Sequence, residues 1–151
     1  MFKHIMLATD GSEASGRAEK SCITLAKSIG ARMTAIHVVP HFHLHYQPWG
    51  APREVHERIE KEHEQEALEG ARKNMAGVEG SARASGVTCE SMIIVGDRPY
   101  EEIIGNAEKL GCDLIMIMIG SRGMMGLNAL LLGSETVKVL THTKIPVLVV
   151  R

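Results

Sequence analysis

The chain has 151 residues, enough for one domain with a sizeable buried core. Apolar residues make up 44%, and 17 basic side chains nearly balance 18 acidic ones, so nucleic acid and acidic membrane surfaces are not expected partners. The five aromatic residues are too few for a platform that stacks nucleic-acid bases. No apolar run approaches the ~18–20 residues of a membrane span, and the N-terminal run is too short for a secretion signal, which predicts a cytoplasmic protein.

Apolar runs of strand length alternate along the chain with longer segments of helical period. This alternation predicts βαβ units and a parallel sheet. The predicted strands are 4–9, 33–39, 88–95, 114–119 and 146–150. The predicted helices are 12–29, a long one from Arg53 to a point between Gly77 and Gly86, one from 97–99 to Gly111, and one from Ser134. We therefore predict a single α/β domain over residues 1–151, with five parallel strands in the doubly wound, Rossmann-like order 3-2-1-4-5.

The long second helix carries one stripe of side chains at steps of three or four residues. The stripe comprises Val55, Ile59, His63, Ala67, Ala71, Met75 and Val78. It predicts the helix face that packs on the sheet, with a packing role for His63. The three cysteines, at positions 22, 89 and 112, lack the spacing of a disulfide framework or a zinc site and are expected to be small buried residues.

A glycine-rich segment, GSRGMMGLNALLLGSE, follows the fourth predicted strand. Gly120, Gly123 and Gly133 let backbone N–H groups approach an anion closely, and the helix that begins at Ser134 directs its free N–H groups to the same place. The pattern is neither a Walker A loop nor a dinucleotide fingerprint. It predicts a phosphate-binding site.

The predicted topology brings the start of the chain to this segment. In the order 3-2-1-4-5, the ligand crevice lies beyond the carboxyl ends of the first and fourth strands, where Asp10 and Gly120 are found. Asp10 has a second interpretation, as the N-cap of the helix that begins near Ser12.

Three stretches of the chain together resemble the universal stress protein family, and more narrowly its ATP-binding branch. They are ATDGS at residues 8–12, the pair His37 and Val38 at the end of the second strand, and the strand, GSRG loop, GS helix start and PVLVV strand between Asp113 and Arg151. The stretch DLIMIMIG is two residues longer than the family's usual spacing. An even insertion keeps each side chain on its face of the sheet, so we expect a bulge or a longer strand.

The resemblance implies a role for each matching position. Asp10 binds the ribose hydroxyls or a nucleotide-bound magnesium ion, and the backbone of Ala8, Thr9 and Val38 holds the adenine. Ribose and phosphates are held by Gly120, Ser121, Arg122, Gly123, Gly133 and Ser134, and Glu135 and Thr136 add backbone amides. The implied cofactor is ATP with magnesium, and the implied function is a stress-response sensor or signalling protein.

Two other functions stay open at this point. A slow ATP hydrolase or phosphotransferase needs a general base and charge stabilisation at the γ-phosphate, for which only Arg122 and a metal on Asp10 can be named. A structural or chaperone-like protein that does not use nucleotide is hard to reconcile with the intact glycine spacing.

The last predicted strand and a histidine-rich segment carry the remaining expectations. The strand 146–150 forms an apolar sheet edge, which predicts a homodimer through residues 146–151, as the family resemblance also implies. His41, His43 and His45 alternate, so an extended backbone would place three imidazoles on one side, as a metal site requires. A loop over the nucleotide pocket is the favoured alternative, because no cysteine or carboxylate stands at ligand spacing.

Overall fold

The computed structural model describes residues 1–13, 15–43, 50, 52–118 and 133–150. Strands and helices alternate along these residues. The strands are β1 (His4–Ala8), β2 (Arg32–Val39), β3 (Cys89–Val95), β4 (Leu114–Met118) and β5 (Val147–Val150). The helices are α1 (Ser15–Ile29), α2 (Arg53–Ala84), α3 (Pro99–Lys109) and α4 (Ser134–His142).

All strand pairs are parallel, and the sheet has the order β3-β2-β1-β4-β5 that the sequence predicts. β1 lies at the centre, where Ala8 is paired with Ile36 of β2 and with Ile117 of β4. β3 and β5 form the two edges of the sheet. The chain therefore reverses its direction of winding between β1 and β4, and this is the place where such sheets bind ligands.

Alternate side chains of the central strands supply two separate cores. Ile5 and Leu7 pack with α1 and α2 on one face, whereas Met6 and Ala8 pack with α3 and α4 on the other. β4 is buried on both sides in the same way, as its uninterrupted apolar run predicts. Within the described part of the chain, none of the helices has the length and apolar character to cross a membrane.

The predicted helix ends agree well with the structure. At the end of α1, Gly30 has a φ of +68°, which a residue without Cβ adopts most readily, and the Ala31 N–H donates to the carbonyl of Ala26 at 2.9 Å. α2 ends at Ala84, within the predicted interval.

Four predicted starts differ from the structure: those of β2 and β3 by one residue, and those of α1 and β5 for identifiable reasons. α1 begins at Ser15 rather than at Ser12, because Ser12 lies in the preceding turn and its hydroxyl accepts the Ser15 N–H at 3.2 Å. β5 begins at Val147, yet the Pro146 carbonyl still accepts the Ile115 N–H at 2.9 Å. Proline lacks an N–H, so it joins the edge of the sheet only as an acceptor.

The predicted stripe on α2 is wrong in its N-terminal half. The buried residues of α2 are Ala71, Met75, Val78 and Ala82, all in the second half of the helix. A helix of 32 residues is about 48 Å long, roughly twice the length of a seven- or eight-residue strand, so its first half has no sheet to cover. His63 is exposed there and stacks on Phe42 with 4.3 Å between ring centroids, instead of packing in the core.

The cysteines are free and are located largely as expected. Cys22 and Cys112 are buried, whereas Cys89 is only partly buried. Burial raises the pKa of the Cys22 thiol to about 12 and that of Cys89 and Cys112 to about 11. The thiols are therefore protonated and unreactive at neutral pH.

Candidate functional site

The sheet register brings the ends of three strands to one edge. Ala8 is paired with both Ile36 and Ile117. Asp10, two residues further along, is therefore level with Val38, and Met118 is level with Thr9. The carboxyl ends of β1, β2 and β4 thus meet where the topology predicts a ligand crevice.

Helix α4 begins at the same edge of the sheet, where a side-chain hydrogen bond attaches its first turn to the end of β4. The Thr136 hydroxyl donates to the Met118 carbonyl at 3.3 Å, and Thr136 is only 3% exposed. The first turn of α4 is therefore held next to the strand that precedes it. Asp10, Val38 and the first turn of α4 therefore lie at the same edge of the sheet.

Among the described residues, the N-terminus of α4 has no cap. Its N-cap is Gly133, with a φ of −55° and a ψ of 147°, a conformation that any residue adopts. The backbone therefore does not require glycine here, although Ser, Thr, Asp and Asn are the preferred caps. Within the described residues, the N–H groups of Ser134, Glu135 and Thr136 donate to no acceptor. Free amides at the positive end of a helix form a binding site for an anion.

Asp10 lies in the turn that follows β1. Its Oδ1 accepts the N–H of Ser12 at 2.9 Å. Partial burial of the carboxylate opposes its ionisation, but the hydrogen bonds from Ser12 and the nearby His37 ring outweigh that effect and hold the pKa of Asp10 below its ordinary value. Asp10 is therefore ionised at neutral pH. It organises the turn, and the contact with the first residue of α1 comes from Ser12, so the N-cap interpretation of Asp10 does not describe the structure.

The N–H and the hydroxyl of Thr9 are both hydrogen-bonded within the protein. Its N–H donates to the Ile36 carbonyl at 3.0 Å, and its hydroxyl lies 2.8 Å from Glu19 Oε1 and 3.0 Å from Ser15 Oγ. A nucleotide contact through Thr9 would therefore use its carbonyl oxygen. Gly11, which follows Asp10, has a φ of +72°, and a Cβ there would lie 3.2 Å from the Asn74 side chain. This turn thus requires glycine both for its backbone conformation and for its close approach to α2.

His37 is a neighbour of the site to which sequence reasoning assigned no role. It is partly buried, and its buried Nδ1 has no hydrogen-bond partner among the described residues. It lies close enough to Asp10 for the two charges to interact. Burial lowers the pKa of the imidazole, and Asp10 only partly offsets that, so His37 is neutral at neutral pH. The available signal was a titratable side chain within an otherwise apolar strand end.

The Glu135 side chain is directed to α3. Its Oε2 accepts the N–H of Tyr100 at 3.1 Å, and its Oε1 accepts a hydrogen bond from Lys138 at 2.7 Å. The predicted contribution of Glu135 to phosphate binding is therefore left to its backbone amide.

Other predicted residues lie outside the described part of the chain. They are Gly120, Ser121, Arg122 and Gly123, with His45 and Ile119. Their placement at the site stays a prediction.

The two described histidines of the alternating segment each face a carboxylate. His41 Nδ1 is 3.4 Å from Glu64 Oε2, and His43 Nε2 is 3.5 Å from Asp97 Oδ2. Within the described ranges, no three His, Cys, Asp or Glu side chains are arranged to hold a metal ion. A nucleotide-bound magnesium ion needs fewer protein ligands, because phosphates and water complete its coordination. The Asp10 carboxylate is of the chemical type that such an ion prefers.

The fold and this edge define a class of protein: a doubly wound α/β domain with an open helix N-terminus and an ionised aspartate at its topological switch point. The family model for the universal stress protein family matches residues 1–151. The chain belongs to the universal stress protein family.

Individual relatives agree with this assignment. A universal stress protein of Methanocaldococcus jannaschii, MJ0531, is 35% identical over 151 residues, which cover all of this chain and 83% of the relative. The solved structure of protein MJ0577 superimposes with a TM-score of 0.80 at 30% identity and covers 99% of this chain and 96% of that one. A universal stress protein of Archaeoglobus fulgidus in complex with dAMP has a TM-score of 0.68 at 18% identity, covering 99% and 98%, and so shares the fold.

Proposed function

We propose that the protein binds an adenine nucleotide, ATP with magnesium, and acts as a stress-response sensor rather than as an enzyme. The observation that carries the proposal is the first turn of α4, uncapped among the described residues and held by Thr136 at the end of β4, at the same sheet edge that the ionised Asp10 follows. A phosphate group fits the free amides, and a hydroxyl-bearing sugar or a bound cation fits the carboxylate. A nucleotide has both features.

The roles of individual residues follow from their positions in the crevice. The amides of residues 134–136 would hold phosphate, and Asp10 would bind ribose hydroxyls or a nucleotide-bound magnesium ion. Val38 and the carbonyl of Thr9 would lie against the base. The dAMP complex of the Archaeoglobus relative supports an adenine nucleotide as the ligand of this fold.

The sharpest test replaces Gly133 with aspartate. The introduced carboxylate would cap α4 and occupy the place proposed for phosphate. Gly133→Asp should raise the free energy of unfolding by a few tenths of a kcal/mol, and it should abolish ATP binding in titration calorimetry. A variant that is more stable but no longer binds ATP would show that the backbone amides at the start of α4 are used to bind the ligand.

The matched control is Pro52→Asp. Pro52 is the N-cap of α2 and, like Gly133, provides no side-chain hydrogen bond to its helix. The same substitution there adds a cap to a different helix and should leave ATP affinity unchanged. Wild-type ATP affinity in Gly133→Asp would show that the phosphate site is elsewhere.

We also expect that turnover is negligible. Kinases transfer phosphate at about 1–100 per second, and the residues proposed here include no general base. Purified protein with ATP and magnesium, assayed for released phosphate, should stay far below that range. A sustained rate within it would favour the hydrolase or phosphotransferase alternative.

The same proposal includes a homodimer formed through residues 146–151. β5 is an edge strand, and Leu148 is 42% exposed on it. Pairing with a two-fold copy would satisfy the unpaired edge of the backbone and cover this side chain.

A further inference from the structure

The first turns of α3 and α4 are joined by one carboxylate. Glu135, in the first turn of α4, accepts the Tyr100 N–H of α3 through Oε2 at 3.1 Å. Its other oxygen accepts a hydrogen bond from Lys138 at 2.7 Å, one turn further along α4. The Lys138 ammonium also lies 5.4 Å from the centre of the Tyr100 ring. Both oxygens of the Glu135 carboxylate therefore accept hydrogen bonds, and one of these bonds joins α4 to α3.

Helix α3 needs this bond because its own sequence provides no cap. Its N-cap is Arg98, whose side chain donates to Glu101 at 2.8 Å but accepts no backbone N–H of the helix, and Pro99 has no N–H to offer. The Tyr100 N–H is thus the first donor of α3 that has no partner within the helix. Its acceptor is Glu135, 35 positions away in the sequence. A hydrogen bond from a backbone amide to an ionised group is stronger than one between neutral groups.

Helix α4 gains a second point of attachment from the same bond. Thr136 ties the first turn of α4 to the end of β4 through the Met118 carbonyl. Glu135, the adjacent residue, ties that turn to α3. Two bonds in different directions hold the turn whose free amides form the proposed phosphate site, and neither bond uses those amides.

We propose that Glu135 is a positioning residue for phosphate: by accepting the Tyr100 N–H, it holds the first turn of α4 in the orientation that presents its amides to the ligand. This role rests on the proposed function and adds to it. Glu135 has a competing effect, because a negative charge beside a phosphate site repels the ligand. The positioning bond outweighs this repulsion.

Three substitutions separate the bond from the charge. Glu135→Gln keeps an acceptor at full length and removes the charge. Glu135→Asp keeps the charge, but its side chain is one methylene too short to reach Tyr100. Glu135→Ala removes both. If the bond is decisive, the Gln variant should bind ATP at least as tightly as wild type, whereas the Asp and Ala variants should bind it about tenfold more weakly.

Lys138→Met is the matched control. It removes the partner of Oε1 and leaves the Tyr100 bond in place, so ATP affinity should fall less than in Glu135→Asp. Adenosine is the second probe, because it lacks phosphate. Its affinity should stay within about twofold of wild type in every variant, since the bond positions only the phosphate-binding turn.

The outcomes are distinguishable in a single series of calorimetric titrations. ATP affinity in the Ala and Asp variants equal to or above that of wild type overturns the positioning role. A parallel loss of ATP and adenosine affinity in these two variants also overturns it, because the effect is then not specific to phosphate. If wild-type protein binds neither compound, the proposed function itself fails. The Asp variant places a favoured residue type in a first helical turn, so it is expected to fold even if the Ala variant does not.

Discussion

At the scale of single residues, Asp10 has two functions that can be separated. Its Oδ1 accepts the Ser12 N–H, which shapes the turn after β1, and its charge is available to a cation or to hydroxyl groups. An asparagine can make the same bond through its side-chain oxygen but carries no charge. We therefore expect Asp10→Asn to retain the wild-type thermal midpoint while ATP affinity in the presence of magnesium falls about tenfold.

The comparison that checks this prediction is between ATP titrations with magnesium and with EDTA. Removing magnesium should weaken binding to wild-type protein much more than binding to Asp10→Asn. An equal effect of magnesium on ATP affinity in both proteins would show that Asp10 does not bind the magnesium ion.

His4 makes stability depend on pH. It is 4% exposed in the centre of the sheet, and its Nε2 lies 2.8 Å from the Thr34 hydroxyl. Burial, with a smaller contribution from Arg32, lowers the pKa of His4 below its ordinary value, despite the opposing charges of Asp113 and Glu90. The unfolded chain thus takes up this proton at a higher pH than the folded protein, so stability is lost as the pH falls below about 6.5.

Urea unfolding at pH 7.5, 6.5 and 5.5 measures this dependence. His4→Gln should reduce the loss of unfolding free energy between pH 7.5 and 5.5, because its side chain does not titrate. His63→Gln, at an exposed position, should reproduce the wild-type slope. A wild-type slope in His4→Gln would exclude His4 as its source.

At the scale of elements, the glycines of α2 and of the turn after β1 have opposite consequences. Gly80 lies within α2, and a Cβ at this position would meet no atom within 4 Å. Gly80→Ala should therefore raise the free energy of unfolding by about 0.5–1 kcal/mol, because glycine lowers helix stability through its flexibility.

Gly11→Ala is the opposing case, since Gly11 has a φ of +72° and contacts Asn74. We expect it to lower the free energy of unfolding by about 1–2 kcal/mol. Urea unfolding of both variants tests the two predictions together. A destabilised Gly80→Ala protein would contradict a continuous α2 to residue 84.

At the scale of the whole molecule, the exposed edge of β5 predicts assembly. Leu148→Glu would place a charge from each copy into the proposed interface, so sedimentation velocity should show a shift from dimer to monomer. Leu110→Glu is the control, because Leu110 is 37% exposed at the end of α3 and lies outside residues 146–151. Wild-type protein that sediments as a monomer at micromolar concentration would refute the dimer.

The order of elements along the chain and the start of α4 followed from the sequence, because both are properties of local patterns. Strand-length apolar runs and helical periods predicted the alternation of strands and helices, which the structure confirms. The spacing before Ser134 predicted a helix start with free amides, and α4 begins at that residue. The stripe on α2 was right in its C-terminal half and wrong in its N-terminal half, since periodicity shows which face is apolar but not how far the sheet beneath it extends.

Contacts between distant residues depended on the tertiary structure alone. The bond from Tyr100 to Glu135 spans 35 positions, and the close approach of Gly11 to Asn74 joins two different elements. His37 neighbours Asp10 only because β1 and β2 pair in one register. No local pattern encodes such pairs, because they arise from how helices pack on a twisted sheet, and that packing decides which side chains remain free for a ligand and which are used to hold the site in place.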